Sequence, residues 1–134
     1  MVVSVSVMVL SACAAKPQAA KEPGLNSGRV AHVVVCWLKE PGNAEQRETL
    51  IRTSQQFVQI PGVVDVIAGV PIPSDRSVVD SSYDVAIVMI FESQQALSEY
   101  AIHPLHQQAV KEQLMPMVEK LLIYDAQEPR TVRE

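Results

Sequence analysis

Tyr100, His103 and His106 stand together in Tyr100-Ala101-Ile102-His103-Pro104-Leu105-His106, and His32 is the third of the chain's three histidines. Imidazole titrates near neutral pH, so His106 could take a proton from carbon next to a carbonyl. A tyrosine hydroxyl such as that of Tyr100 could donate a hydrogen bond to the enolate oxygen that results. His32 and His103 are candidates for holding the ligand. The same residues also fit a purely structural part. His103 could cap a helix, His106 could bond to a strand, and Tyr100 could be a half-buried core residue. The His103/His106 spacing straddles a proline and suits zinc poorly. No cofactor is expected.

Elements that would position these groups can be read along the chain. Val30 to Leu38 (VAHVVVCWL) is rich in β-branched residues and predicts a strand, with His32 on one face with Val34, Cys36 and Leu38. Lys39-Glu40-Pro41-Gly42 is a turn by composition. Asn43 caps a helix, with Gln46 completing a capping-box-like pair, and Pro61-Gly62 stops it. Val63 to Val70 and Tyr83 to Phe91 are two further strands, separated by a polar loop. Ser93 caps a short helix carrying Ala96, Leu97 and Tyr100. Pro104 opens another, whose apolar positions include Leu105, Val110, Leu114, Val118 and Leu121, and which Pro116 should kink. Leu121 to Asp125 (LLIYD) closes the order β-α-β-β-α-α-β, an α+β, ferredoxin-like pattern with an antiparallel four-stranded sheet. The strands are apolar on both faces, so one face needs a cover beyond the domain's own helices. A second copy packed sheet to sheet supplies it, and a homodimer is expected.

The chain of 134 residues fits one domain, with the fold in 30–126 and a polar tail in 127–134. A hydrophobic share of 48% speaks against disorder, and a net charge of −4 without a basic cluster speaks against nucleic acid. Met1 to Ala12 is apolar, uncharged and too short to span a bilayer as a helix. Leu10-Ser11-Ala12-Cys13 resembles the bacterial lipobox, in which the cysteine is lipidated, although no Lys or Arg precedes the apolar run. Residues 1–13 are thus expected to be a lipoprotein-type signal and 14–29 a flexible tether. That places the domain in the periplasm or cell envelope, held to a membrane through Cys13. With Cys13 lipidated, Cys36 has no disulfide partner in the chain.

Tyr100 to His106 resembles the Y-x-x-H-P-x-H motif of the stress-responsive dimeric α/β-barrel family. The resemblance extends from Ala31-His32-Val33-Val34 through Ile60-Pro61-Gly62-Val63, Gly69, Tyr83-Asp84 and Phe91-Glu92-Ser93 to Leu121-Leu122-Ile123-Tyr124-Asp125. It implies a ferredoxin-like protomer and a dimer whose two sheets form a barrel. Most members have no assigned reaction, which implies a small-ligand-binding or stress-associated module. One plant member is a polyketide cyclase whose cavity histidine, catalytic tyrosine and catalytic histidine match His32, Tyr100 and His106. It implies, as the alternative, a cofactor-independent cyclase, isomerase or lyase acting on a hydrophobic carbonyl compound. Thr53 stands where that enzyme has a further cavity tyrosine, so the same substrate is not expected. Some members hold magnesium through backbone carbonyls near Ile60-Pro61-Gly62, an arrangement without a side-chain signature.

Overall fold

In β1 (Val30–Leu38) and β3 (Val85–Phe91), alternate residues are fully buried and the residues between them are half-buried. That period of two makes both strands central in an antiparallel sheet. The computed structural model describes residues 28–129. The sheet runs β2-β3-β1-β4, with β2 at Val63–Gly69 and β4 at Val118–Gln127. Helix α1 (Ala44–Gln55), extended by a 3-10 turn at Gln56–Gln59, joins β1 to β2. Helices α2 (Gln94–Ile102) and α3 (Pro104–Ala109) join β3 to β4. This is the expected ferredoxin-like protomer.

Several expectations shift in detail. Asn43 does cap α1, accepting from the Gln46 N–H at 3.1 Å. The reciprocal half of the capping box is not formed: the Asn43 N–H donates to the Glu40 carbonyl, and Gln46 Oε1 is buried without a partner among the described residues. Pro116 does not simply kink α3. The helix widens into a π-helical stretch at Val110–Leu114 and ends in a turn at Met115–Met117. Proline offers no N–H to the turn before it, and the wider stretch is one way to absorb that loss. Val118 therefore opens β4 instead of lying on the helix, and β4 is twice the expected length. Cys13 and the signal-like run lie outside the described residues.

Asp84 ties the frame together. It is 3% exposed and accepts from the Leu38 N–H (2.9 Å), the Gly42 N–H (2.7 Å), and Arg47 Nε (3.1 Å) and Nη2 (2.7 Å). One carboxylate thus fastens the end of β1, the turn and the first turns of α1. Burial alone would raise its pKa, but the Leu38 and Gly42 donors and the Arg47 guanidinium outweigh that and hold it below the usual range. At the other end of α1, Gly62 has φ of +84°, and a Cβ there would sit 2.5 Å from the Ala96 Cβ. Only glycine allows both the turn and this close seating of α2.

The sheet's inner face, with Val34, Cys36, Ile87 and Phe91, packs on the helices to form the core. Its outer face carries Val33, Val35, Val88 and Ile90, all half-buried, beside the exposed Ile67, Leu122 and Tyr124. Trp37 lies there too, donating to Ser82 Oγ at 3.1 Å, with Lys120 Nζ 4.2 Å from its ring centroid.

Candidate functional site

The Tyr100-to-His106 segment is built by one helix giving way to another. Ser93 Oγ accepts from the Ala96 N–H and starts α2, which turns Ala96 and Tyr100 inward. Pro104 has no N–H to extend α2, so the chain breaks at His103. The His103 N–H closes on the Tyr100 carbonyl, and His103 Nδ1 accepts from the Leu105 N–H at 3.3 Å, capping α3. Had α2 continued, the Leu105 N–H would have gone to the Ala101 carbonyl. That carbonyl is left for His106, whose Nδ1 lies 3.2 Å away.

A carbonyl oxygen only accepts, so His106 Nδ1 carries the hydrogen and the neutral ring presents Nε2 as an acceptor. His32 is held in the same way. It faces Asp125 across the β1–β4 ladder, and its Nδ1 donates to Asp125 Oδ1 at 2.6 Å. The His32 side chain is 11% exposed and that of Asp125 50%. Tyr100 lies between the two histidines, with ring centroids 4.2 Å from His106 and 6.1 Å from His32. Phe57 and Phe91 pack edge-on or tilted against the Tyr100 ring.

His32, Tyr100 and His106 all line one cavity of about 190 Å³ between the sheet and the helices. The remaining wall is mostly apolar, with Val34, Leu50, Phe57, Ile87, Met89 and Leu114 among its residues, and it includes no Lys, Arg, Asp or Glu. Thr53 is on this wall and donates to Gln113 Oε1 from the π-helical stretch. Tyr100 is 2% exposed, yet its hydroxyl has no hydrogen-bond partner among the described residues. Burial raises the Tyr100 pKa far above its ordinary value, so the hydroxyl stays a donor. Burial is also the main cause that lowers the His106 pKa, reinforced by His32 and His103 and opposed by the Ala101 bond, so its ring is neutral at pH 7.

Three of the four expected site residues therefore meet. His103 does not line the cavity and serves as the cap. Nothing in the residue type or spacing of Asp125 marks it for the site; the strand register places it opposite His32.

Residues 30–128 match the Stress Responsive A/B Barrel Domain, and 27% of aligned residues are identical to those of a ferredoxin-like protein of that family from Mesorhizobium loti. The chain belongs to the stress-responsive A/B barrel family. The Mesorhizobium loti structure superposes with a TM-score of 0.61, covering 74% of this chain and 95% of that one. A dimeric protein of unknown function from Bacteroides fragilis is 19% identical, with a TM-score of 0.57 over 75% of this chain and 96% of its own. A hydroxynitrile lyase from Passiflora edulis is also 19% identical, with a TM-score of 0.64 over 80% and 99%. None of the curated proteins matches.

The magnesium that some members of the family hold would sit near the Ile60-Pro61-Gly62 turn. Here the Ile60 and Gly62 carbonyls accept from the Val63 and Glu92 N–H groups, and the turn is closed by the protein's own bonds. Among the described residues, no three His, Cys, Asp or Glu side chains cluster as a set of side-chain metal ligands.

Proposed function

We propose that this A/B barrel domain binds a small, neutral, largely apolar carbonyl compound in its cavity and transfers a proton on it. The observation that carries the reading is a tyrosine, almost wholly buried, whose hydroxyl has no protein partner among the described residues, beside a histidine whose Nε2 is unoccupied on the wall of an apolar cavity. His106 Nε2 takes the proton from carbon next to the carbonyl. The C–H electron pair becomes the C=C bond of an enolate, the carbonyl π pair moves onto oxygen, and Tyr100 stabilises that oxygen by donating its O–H. The proton on His106 is then returned to carbon or to a leaving group. A hydroxynitrile lyase shares this fold at 19% identity, so the scaffold is one on which turnover occurs. Thermal-shift and turnover screens of apolar ketones and aldehydes test the reading. His106→Gln should abolish turnover with little loss of melting temperature. A variant that unfolds, or that keeps full turnover, counts against it.

The apolar outer sheet face supports a second part of the reading: two copies meet through it to form a barrel, as the dimeric description of the Bacteroides fragilis neighbour suggests. Export and membrane anchoring through Cys13 rest on the Leu10-Ser11-Ala12-Cys13 motif and the polar tether that follows. Cys13→Ala should move the protein from the membrane fraction to the soluble one.

A further inference from the structure

β2 and β3 lie side by side in the sheet and run antiparallel, so a two-residue turn would join them. The chain instead spends residues 70–84 on the connection, with no helix or strand among them. Loops longer than about 12–15 residues without structure of their own are uncommon in compact domains and usually carry a function. This one is not simply solvated. Ile72 is 81% and Val78 80% exposed, Val70 and Val79 are exposed beside them, and none of the four joins the core. Pro71 and Pro73 fix the backbone φ on both sides of Ile72, which lowers the entropy lost if that side chain docks. The hydrogen bonds of residues 70–79 stay within the loop. The Arg76 N–H donates to Ser74 Oγ at 3.2 Å, and the Val79 N–H to the Arg76 carbonyl at 3.0 Å.

The root of the loop is anchored on the sheet. Ser82 Oγ accepts from Trp37 on the outer face, and the Tyr83 ring meets the Trp37 ring edge-on, 6.5 Å between centroids. The Ser82 hydroxyl and N–H, with the Lys120 ammonium farther off, hold the Asp80 carboxyl below its usual range. The loop thus leaves from the outer face and continues its apolar surface. That face is small. Four strands about 4.8 Å apart and seven residues at about 3.3 Å each give a footprint of roughly 440 Å². A stable dimer buries about 800 Å² per partner.

We infer that residues 70–82 are an arm that lays Ile72, Val78 and Val79 on a second copy of the chain and supplies the area the sheet lacks. The inference rests on the sheet-to-sheet reading above and extends that interface beyond the strands. A lipid surface suits the arm less well, because Asp75 and Asp80 outnumber Arg76.

The test uses the full chain carrying Cys13→Ala, with and without the triple change Ile72→Ser, Val78→Ser and Val79→Ser. These side chains are exposed in the protomer, so circular dichroism should be unchanged. Sedimentation equilibrium should show the dimer dissociation constant raised at least about a hundredfold, since six aliphatic groups leave one interface. Trypsin reads the arm without altering it, because Arg76 is the only Lys or Arg in 70–84. Cleavage there should be slow in the dimer and fast in Val33→Asp. A triple variant that dimerises as tightly as its parent, or an Arg76 cut equally fast in both states, overturns the arm and leaves the sheet-to-sheet dimer standing. A parent chain that is monomeric at every concentration overturns both. A triple variant that stays dimeric but no longer sediments with phosphatidylcholine vesicles gives the arm to a membrane and also overturns the inference.

Discussion

Tyr100→Phe separates a functional tyrosine from a structural one. Most buried tyrosines spend their hydroxyl on a protein partner, and losing that bond costs about 0.5–1.5 kcal/mol. The Tyr100 hydroxyl has no such partner among the described residues, while its ring is held by Phe57, Phe91 and His106 at centroid distances of 5.6, 5.0 and 4.2 Å. Phenylalanine keeps every ring contact. It also removes a hydroxyl that has no protein partner but still reaches the open space of the cavity, since Gln46 Oε1 is the one wholly buried polar side-chain atom without a partner among the described residues. The stability change should therefore be small, within about 0.5 kcal/mol of zero. For a domain of roughly 100 residues, that is a melting temperature unchanged to within about 2–4 °C. Affinity for a carbonyl probe should fall about fivefold, because the oxygen that Tyr100 would serve loses its donor. Calorimetric melting and probe titration of the same preparations read both. A melting temperature lowered by about 4 °C or more, with affinity unchanged, would refute the reasoning and make the hydroxyl a structural bond.

Other outcomes follow from the same geometry. Asp84→Ala leaves Arg47 and two N–H groups without their buried carboxylate, so it should cost about 3 kcal/mol or more and lower the melting temperature by roughly 12 °C. The acid limb of any turnover should lie below pH 6.5, because His106 must be neutral and its pKa is lowered in the fold. Stability should fall over the same range: the unfolded chain binds a proton at His106 as pH drops through 6.5 and the folded chain resists it. Above that pH both states are neutral and the group contributes nothing. Urea melts between about pH 5 and 8 should show the fall, and His106→Leu should flatten it. Val33→Asp on the outer sheet face should give a folded monomer by light scattering if two copies meet there.

The sequence made some of this legible and hid the rest for identifiable reasons. β1 could be placed residue for residue, because nine successive positions favour a strand and turn residues follow them. The caps at Asn43 and Ser93 were equally plain, since a cap is a local matter between a side chain and an amide three positions on. The start of β4 was not. Val118 and Leu121 fit a helical stripe as well as a strand, and what decides between them is Pro116 and the π-helical widening before it, a balance of backbone bonds that hydrophobic spacing does not record. His32, Tyr100 and His106 were found from residue type and motif. Asp125 is not legible in the sequence, because its role depends on which residue of β1 it faces, and register is a property of two strands.

That register has a spare residue built into it. Trp37 pairs with Lys120, but the next residue, Leu38, pairs with Val118, so Glu119 has no opposite number in β1. The helix before β4 must finish at Met117, where the Met115 and Pro116 carbonyls accept from Lys39 Nζ and the Met117 carbonyl accepts from the Lys39 N–H. Farther along the strand, Asp125 must face His32. No loop separates helix from strand, so the phase in which the helix stops is passed straight to the sheet. Glu119 is the slack between two clocks of different period, one of the helix and one of the strand, and it lets both strike at the right residue.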